Sequence, residues 1–102
     1  MERIAYIMRL KPDMVQGYKE AHQHVWPELI EAGTRAGIRN HSCFVRGSTV
    51  IIYLETEDYA AAARELSEKG VVKRWNAYMA DYFDGSIQAQ QSEPWEEVFH
   101  MD

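Results

Sequence analysis

The first segment with a clear hydrophobic pattern, residues 3–10, alternates between apolar and other positions. One set of alternating positions consists of Ile4, Tyr6, Met8 and Leu10. This period of two predicts a strand with one face on a core. Over residues 12–36 the apolar spacing becomes three and four, which predicts a helix with one inward stripe. Pro27 lacks a backbone donor and crowds the preceding turn, so the helix should kink or restart near Val25 and Trp26.

Two further strands are predicted after Gly37, which is expected to end the helix. They cover residues 38–46 and 49–56. Gly47 and Ser48 lie between them and indicate a hairpin turn.

The remaining elements are two helical pieces and a last strand. Thr56 is a candidate cap for a helix over residues 57–67, and a further helix is expected over 71–82. Residues 84–94 are polar and are expected to form a loop. Residues 95–101 alternate again, which predicts the final strand.

The predicted element order is β-α-β-β-α-β, with the second helical region in two pieces. This is the ferredoxin-like α+β pattern, an antiparallel sheet with helices on one face. The other face would present apolar side chains that no element of the chain is left to cover. We therefore expect a homodimer, formed face to face or edge to edge, in which the last strand can reach the partner.

Length, charge and cysteine content narrow the class of protein. The 102 residues suit a single domain over 1–102, and the net charge of −5 without a basic cluster disfavours nucleic-acid binding. We expect no signal peptide and no membrane association, because the chain begins with a strand pattern and lacks a long apolar run. A single cysteine, Cys43, favours a reducing compartment and hence a cytoplasmic location. Its position in a strand predicts a buried, unreactive thiol.

Tyr18 and His22 are the first candidate functional residues. They are four positions apart on the predicted inward face of one helix, so their side chains are neighbours. A buried histidine is more often a satisfied core residue than a functional one. However, Pro27 frees a helix carbonyl nearby, and His41 lies in a strand against which the helix must pack. Polar groups that converge in an apolar interior are typical of a small-ligand pocket.

Trp75 and Asn76 are candidates of a second kind. Trp75 can serve the core or form a pocket wall, and Asn76 can bond a ligand hydroxyl or lie on the surface. His22 and His24 project from opposite faces of a helix, so we expect no metal site. The residues themselves predict a polar pocket but leave its reaction open.

Several motifs together resemble the L-rhamnose mutarotase family. The most specific is Y-x-x-x-H-x-x-x-W-P-E-L over residues 18–29, because Trp-Pro within a helix is rare. Residues 8–13, Arg74-Trp75-x-x-Tyr78-Met79 and the end of the chain over 97–100 are also similar to the family. The resemblance covers almost the whole chain.

The resemblance implies a dimeric α/β-barrel-like assembly and interconversion of the α and β anomers of a 6-deoxy-hexose, without a cofactor. His22 matches the family's proton donor, and Tyr18 matches a substrate-binding tyrosine. The family has another sugar-binding tyrosine where this chain has His41, and a Trp-Trp pair where it has Trp75 and Asn76. The reaction is thus more firmly implied than the sugar, and L-fucose and related deoxy-sugars stay open.

Two alternatives follow from the same pattern. Ferredoxin-like dimers also include cofactor-independent monooxygenases and haem-degrading enzymes, which would require an aromatic substrate or haem. A non-catalytic sugar-binding dimer would need His22 only for packing. The general base is also open, and His41 is one candidate for it.

Overall fold

The computed structural model describes residues 1–102 and has an antiparallel sheet of three strands at its centre. The strands are β1 (Glu2–Arg9), β2 (Arg39–Arg46) and β3 (Thr49–Thr56), in the order β1-β3-β2. Alternation fixes the register, since Tyr6 opposes Ile52 and both are buried on the inner face of the sheet. The strands predicted in these three regions and the hairpin at residues 47–48 are confirmed.

The predicted long helix is divided in two, as Pro27 required. α1 (Val15–Ala21) is followed by a 3₁₀ turn over His22–His24, and α2 begins at Pro27 and ends at Arg35. Between them Val25 and Trp26 are extended, with ψ near 134° and 129°. The proline ring disfavours helical backbone in the residue before it, which explains why the break falls here.

The later helices are α3 (Tyr59–Ser67), α4 (Gly70–Met79) and the short α5 (Ile87–Gln91). α4 continues as a 3₁₀ turn to Tyr82, so the helix predicted over 71–82 is confirmed, while the polar loop contains α5. The capping role expected of Thr56 is wrong. Asp58 caps α3 by accepting a hydrogen bond from the Ala61 amide at 3.1 Å, because Thr56 is still part of the sheet and buried.

The predicted fourth strand is also wrong, so the ferredoxin-like sheet is incomplete within this chain. Residues 93–102 have no regular secondary structure. The Trp95 amide donates to the Ala5 carbonyl at 2.8 Å, and Arg3 pairs with Glu97 through two contacts of 2.6 and 2.9 Å. Further along the same edge of β1, residues 84 and 90 already bond the backbone of Arg9. The tail therefore touches this edge without pairing along it.

The core lies between the inner face of the sheet and the helices. The core joins that face to side chains from the helical half of the chain, which include Tyr18, Trp75, Met79, Phe83 and Ile87. The outer face carries Phe44 and Ile51, which are 61% and 45% exposed. Among the helices, Gly17 of α1 allows close packing on Tyr82, because a Cβ on it would lie 2.8 Å from the Tyr82 ring. None of the helices has the length and apolar character needed to cross a membrane.

Candidate active site

A cavity of about 670 Å³ lies between the inner face of the sheet and the helices. Apolar side chains make up most of its wall, as in typical small-molecule sites. It brings together every site residue predicted from the sequence, which are Tyr18, His22, His41, Trp75 and Asn76. The α1–α2 region, β2 and α4 each supply part of this group.

The orientation of His22 is set by the end of α1. Its Nδ1 lies 2.9 Å from the carbonyl oxygen of Tyr18, one turn earlier. Since a carbonyl can only accept, Nδ1 must carry the hydrogen and donate it. Nε2 is then the ring nitrogen left for a ligand. The Tyr18 carbonyl also accepts a hydrogen bond from the backbone N–H of His22, so both ends of this contact are fixed by the last turn of α1.

Aromatic rings enclose the imidazole of His22. The Tyr18 ring lies 4.1 Å away between centroids, and the Trp75 ring meets it edge to face at 5.4 Å. Burial among these rings lowers the pKa of His22, although the hydrogen bond to the Tyr18 carbonyl partly opposes the shift. His22 is thus held in one orientation and favours the neutral form more than a free histidine does.

His41 lies in β2 beside a β-bulge and lines the cavity together with Cys43. Arg39 pairs with Glu55 and Ser42 with Tyr53, so Asn40 and His41 together oppose a single residue of β3. Asn40 adopts a left-handed φ of 51°, which asparagine tolerates better than most residues. His41 is exposed, yet the atoms around it displace enough water to lower its pKa, and the nearby His22 lowers it further.

Cys43 corrects one expectation, because its thiol is exposed and lines the cavity. It is accessible from inside the cavity, yet the surrounding atoms displace enough water to raise its pKa. A hydrogen bond with the Tyr18 hydroxyl partly opposes that shift. Tyr18 itself is only 3% exposed, and burial raises its pKa. The thiol thus remains protonated at neutral pH, as the expected lack of reactivity requires.

Sequence reasoning missed a second polar group on the cavity wall, consisting of Tyr6, Tyr59 and Gln91. The Tyr59 hydroxyl donates to the Gln91 carbonyl at 3.1 Å, and Tyr6 interacts with both residues. Alternation in β1 placed Tyr6 inward. Nothing local could place Tyr59 and Gln91 beside it, since they come from α3 and α5.

The wall of the cavity carries no formal charge outside its histidines. None of its residues is Asp, Glu, Lys or Arg. His24 lies outside the cavity and is exposed, and His100 pairs with Asp102 at 2.9 Å in the tail. The arrangement suits a neutral polar ligand whose protons can be moved by imidazole.

The chain is similar to known proteins along almost its whole length. The family model for L-rhamnose mutarotase matches residues 3–101. An L-rhamnose mutarotase from Paraburkholderia phytofirmans is 34% identical, over 99% of this chain and 96% of that protein. Another from Mesorhizobium japonicum is 35% identical, over 98% and 97%.

Two solved structures extend the comparison. The crystal structure of an L-rhamnose mutarotase from Formosa agariphila matches with a TM-score of 0.83 and 30% identity, covering both chains completely. Tetracenomycin F2 cyclase from Streptomyces glaucescens matches with a TM-score of 0.69 but only 13% identity, over 100% of this chain and 98% of the cyclase, and so shares the fold alone. With a family match over nearly every residue and relatives of equal length, this chain belongs to the L-rhamnose mutarotase family.

Proposed function

We propose that this protein is an isomerase that interconverts the α and β anomers of L-rhamnose. The observation that carries the proposal is the imidazole of His22, which is held beside two aromatic rings on the cavity wall and keeps Nε2 free for a ligand. Membership of the family points to the reaction. Mutarotation opens the pyranose ring, turns the aldehyde and closes the ring again. Ring opening adds a proton to the ring oxygen and removes one from the anomeric hydroxyl. Histidine can perform both transfers near neutral pH.

His22 is the central acid and base in this proposal. When the ring is protonated, Nε2–H can donate to the sugar, and when it is neutral the same nitrogen can accept. Nδ1 cannot compete, since its hydrogen is used on the Tyr18 carbonyl. Positioned proton transfer contributes about 10²–10⁴-fold. That factor is adequate for a reaction that already proceeds slowly in water, so the proposal needs no metal or cofactor.

Four residues are assigned to the sugar itself, namely Tyr18, His41, Trp75 and Asn76. Aromatic faces such as that of Trp75 suit the C–H faces of a pyranose. The amide of Asn76, the ring nitrogens of His41 and the hydroxyl of Tyr18 can each bond a sugar hydroxyl. His41 and Asn76 are the two departures from the family pattern, so the preferred sugar must be tested against L-fucose and other deoxy-sugars.

A second copy of the chain is proposed as the partner, which would give a dimeric α/β-barrel-like assembly. Phe44 and Ile51 border a shallow hollow of about 460 Å³ on the outer face of the sheet. In the tail, Val98 is 87% exposed and Phe99 is 77% exposed. Both surfaces are apolar enough to favour burial against a partner. In the dimer the tail would reach the partner's sheet and supply the fourth strand of the ferredoxin-like fold.

Light scattering tests the dimer. The wild-type chain should have the mass of two copies, and Phe44→Lys should shift it towards one copy because a charge would then enter the apolar face. A wild-type protein that stays monomeric at every concentration contradicts this part of the proposal.

Saturation transfer between the α and β H1 signals of L-rhamnose tests the reaction. The wild-type protein should accelerate exchange, and a folded His22→Gln variant should lose that acceleration. His24→Gln is the matched control, because His24 lies on the same 3₁₀ turn but outside the cavity and is exposed. It should behave as the wild type does.

The same protocol with L-fucose and other deoxy-sugars determines the preference. If no sugar exchanges faster with the wild-type protein, the mutarotase proposal fails. The apolar wall of the cavity would then favour an aromatic substrate or haem, which added haem would reveal by its colour.

A further inference from the structure

Ring opening raises a question that His22 alone leaves unanswered. The sugar must gain a proton at one oxygen and lose one at another, and a single imidazole nitrogen cannot do both at once. His22 has only Nε2 available, because Nδ1 donates to the Tyr18 carbonyl. A second group on the cavity wall is required for a concerted reaction.

The titratable groups on the wall are few, and most of them stay neutral. They are Tyr6, Tyr18, His22, His41, Cys43 and Tyr59. Burial raises the pKa of each tyrosine and of the thiol, so none of these groups ionises near neutral pH. Carboxylates and amines are missing from the wall altogether. Only the two histidines can change protonation between about pH 5 and 8.

The position of His41 fits a functional role better than a packing role. His41 lines the cavity on the same face of β2 as Cys43, and strand pairing is interrupted beside it by the bulge, a distortion often found next to active sites. Its imidazole is close enough to His22 to sense that ring's charge, whereas no hydrogen bond within the chain contributes to the pKa of His41. Both ring nitrogens of His41 thus remain free to act on a ligand.

We propose that His41 is a second catalytic residue, which exchanges protons with the sugar in concert with His22. This inference rests on the proposed mutarotase activity. It goes beyond the assignment of His41 as a sugar contact, and it names the group that completes the acid–base pair.

The proton balance closes over one cycle. One neutral imidazole takes the proton of the anomeric hydroxyl, and the O–H electron pair becomes the second bond of the carbonyl. The C1–O5 bond breaks, its electron pair goes to O5, and the other, protonated imidazole gives its proton to O5. After rotation about C1–C2, the opposite transfers close the ring on the other face of the carbonyl. Each histidine then has its starting number of protons.

The active form of the pair therefore carries one proton. A second proton is opposed by repulsion between the two rings, and the fully neutral pair lacks a strong acid. Because the loss of surrounding water lowers both pKa values below the ordinary 6.5, kcat/KM should be bell-shaped with both limbs on the acidic side of that value.

The test compares wild type, His41→Gln and the control His24→Gln in the anomer-exchange assay over a range of pH. Binding of L-rhamnose is measured in parallel by calorimetry. His41→Gln should lower kcat by about 10²-fold and remove one limb of the bell. The dissociation constant for the sugar should change far less than kcat does, since the glutamine amide can still bond a sugar hydroxyl. If His41→Gln does not fold by circular dichroism, His41→Asn takes its place, since its amide can bond a sugar hydroxyl but cannot exchange protons near neutral pH.

The outcomes separate this inference from the proposed function. No acceleration by the wild-type protein defeats the proposed function. Acceleration by the wild type, together with an unchanged kcat and a raised KM in the His41 variant, shows that His41 only binds sugar and overturns the inference alone. An unchanged bell in the variant overturns it as well.

Discussion

Trp75 combines two roles of aromatic residues in this protein, packing in the core and forming a cavity wall. It is only 9% exposed and belongs to the core, yet it also lines the cavity. Its ring meets those of His22, Trp26 and Tyr78 edge to face, at 5.4, 5.0 and 5.7 Å. Trp75→Ala would remove all three contacts at once. The open cavity on one side also gives neighbouring groups little reason to collapse into the space.

The expected loss in the free energy of unfolding of Trp75→Ala is large for a domain of this size. Removing a buried Trp typically lowers the free energy of unfolding by about 3–5 kcal/mol, and a domain of this kind has only about 5–15 kcal/mol in total. At roughly 4–8 °C per kcal/mol, the Tm should fall by at least about 12 °C. Trp75→Phe should lose less, because it keeps one aromatic ring at the contact.

Calorimetry or urea denaturation measures this loss, with Trp95→Ala as the matched control. Trp95 is 65% exposed and bonds the sheet through its backbone amide, so its truncation should stay within about 0.5 kcal/mol. A loss below about 1 kcal/mol in Trp75→Ala would refute the reasoning. Trp75 would then be a cavity wall that the fold does not need.

Three further results are expected. The free energy of unfolding should fall as the pH drops from about 7 to about 5. The fold lowers the pKa of His22 and His41, so the unfolded chain binds more protons in this range. Urea denaturation at several pH values should show a weaker pH dependence in His22→Gln. Asp58→Ala should cost about 1 kcal/mol in urea denaturation, because α3 loses its N-cap, and no loss would mean that the cap is redundant. Glu97→Gln should speed amide exchange at Trp95, because it weakens the pair with Arg3, and unchanged exchange would show that the pair does not hold the tail.

Local periodicity determined much of this protein. Alternation predicted β1 and the inward position of Tyr6, and the three- and four-residue spacing put Tyr18 and His22 on one face. Pro27 located the helix break to within a residue or two. These features depend on neighbours in the chain, whose geometry is fixed by short-range sterics and hydrogen bonding.

Only the tertiary structure decided what depends on distant partners. The alternating tail pairs as a strand only if an edge is free, and residues 84 and 90 already bond part of the β1 edge. Cys43 had the pattern of a buried residue but meets a cavity instead of a helix. A bulge, whose register is set across β2 and β3, leaves Asn40 and His41 both on the cavity wall. Sequence spacing carries no record of such pairings, because they form between segments that meet only when the sheet and helices pack together.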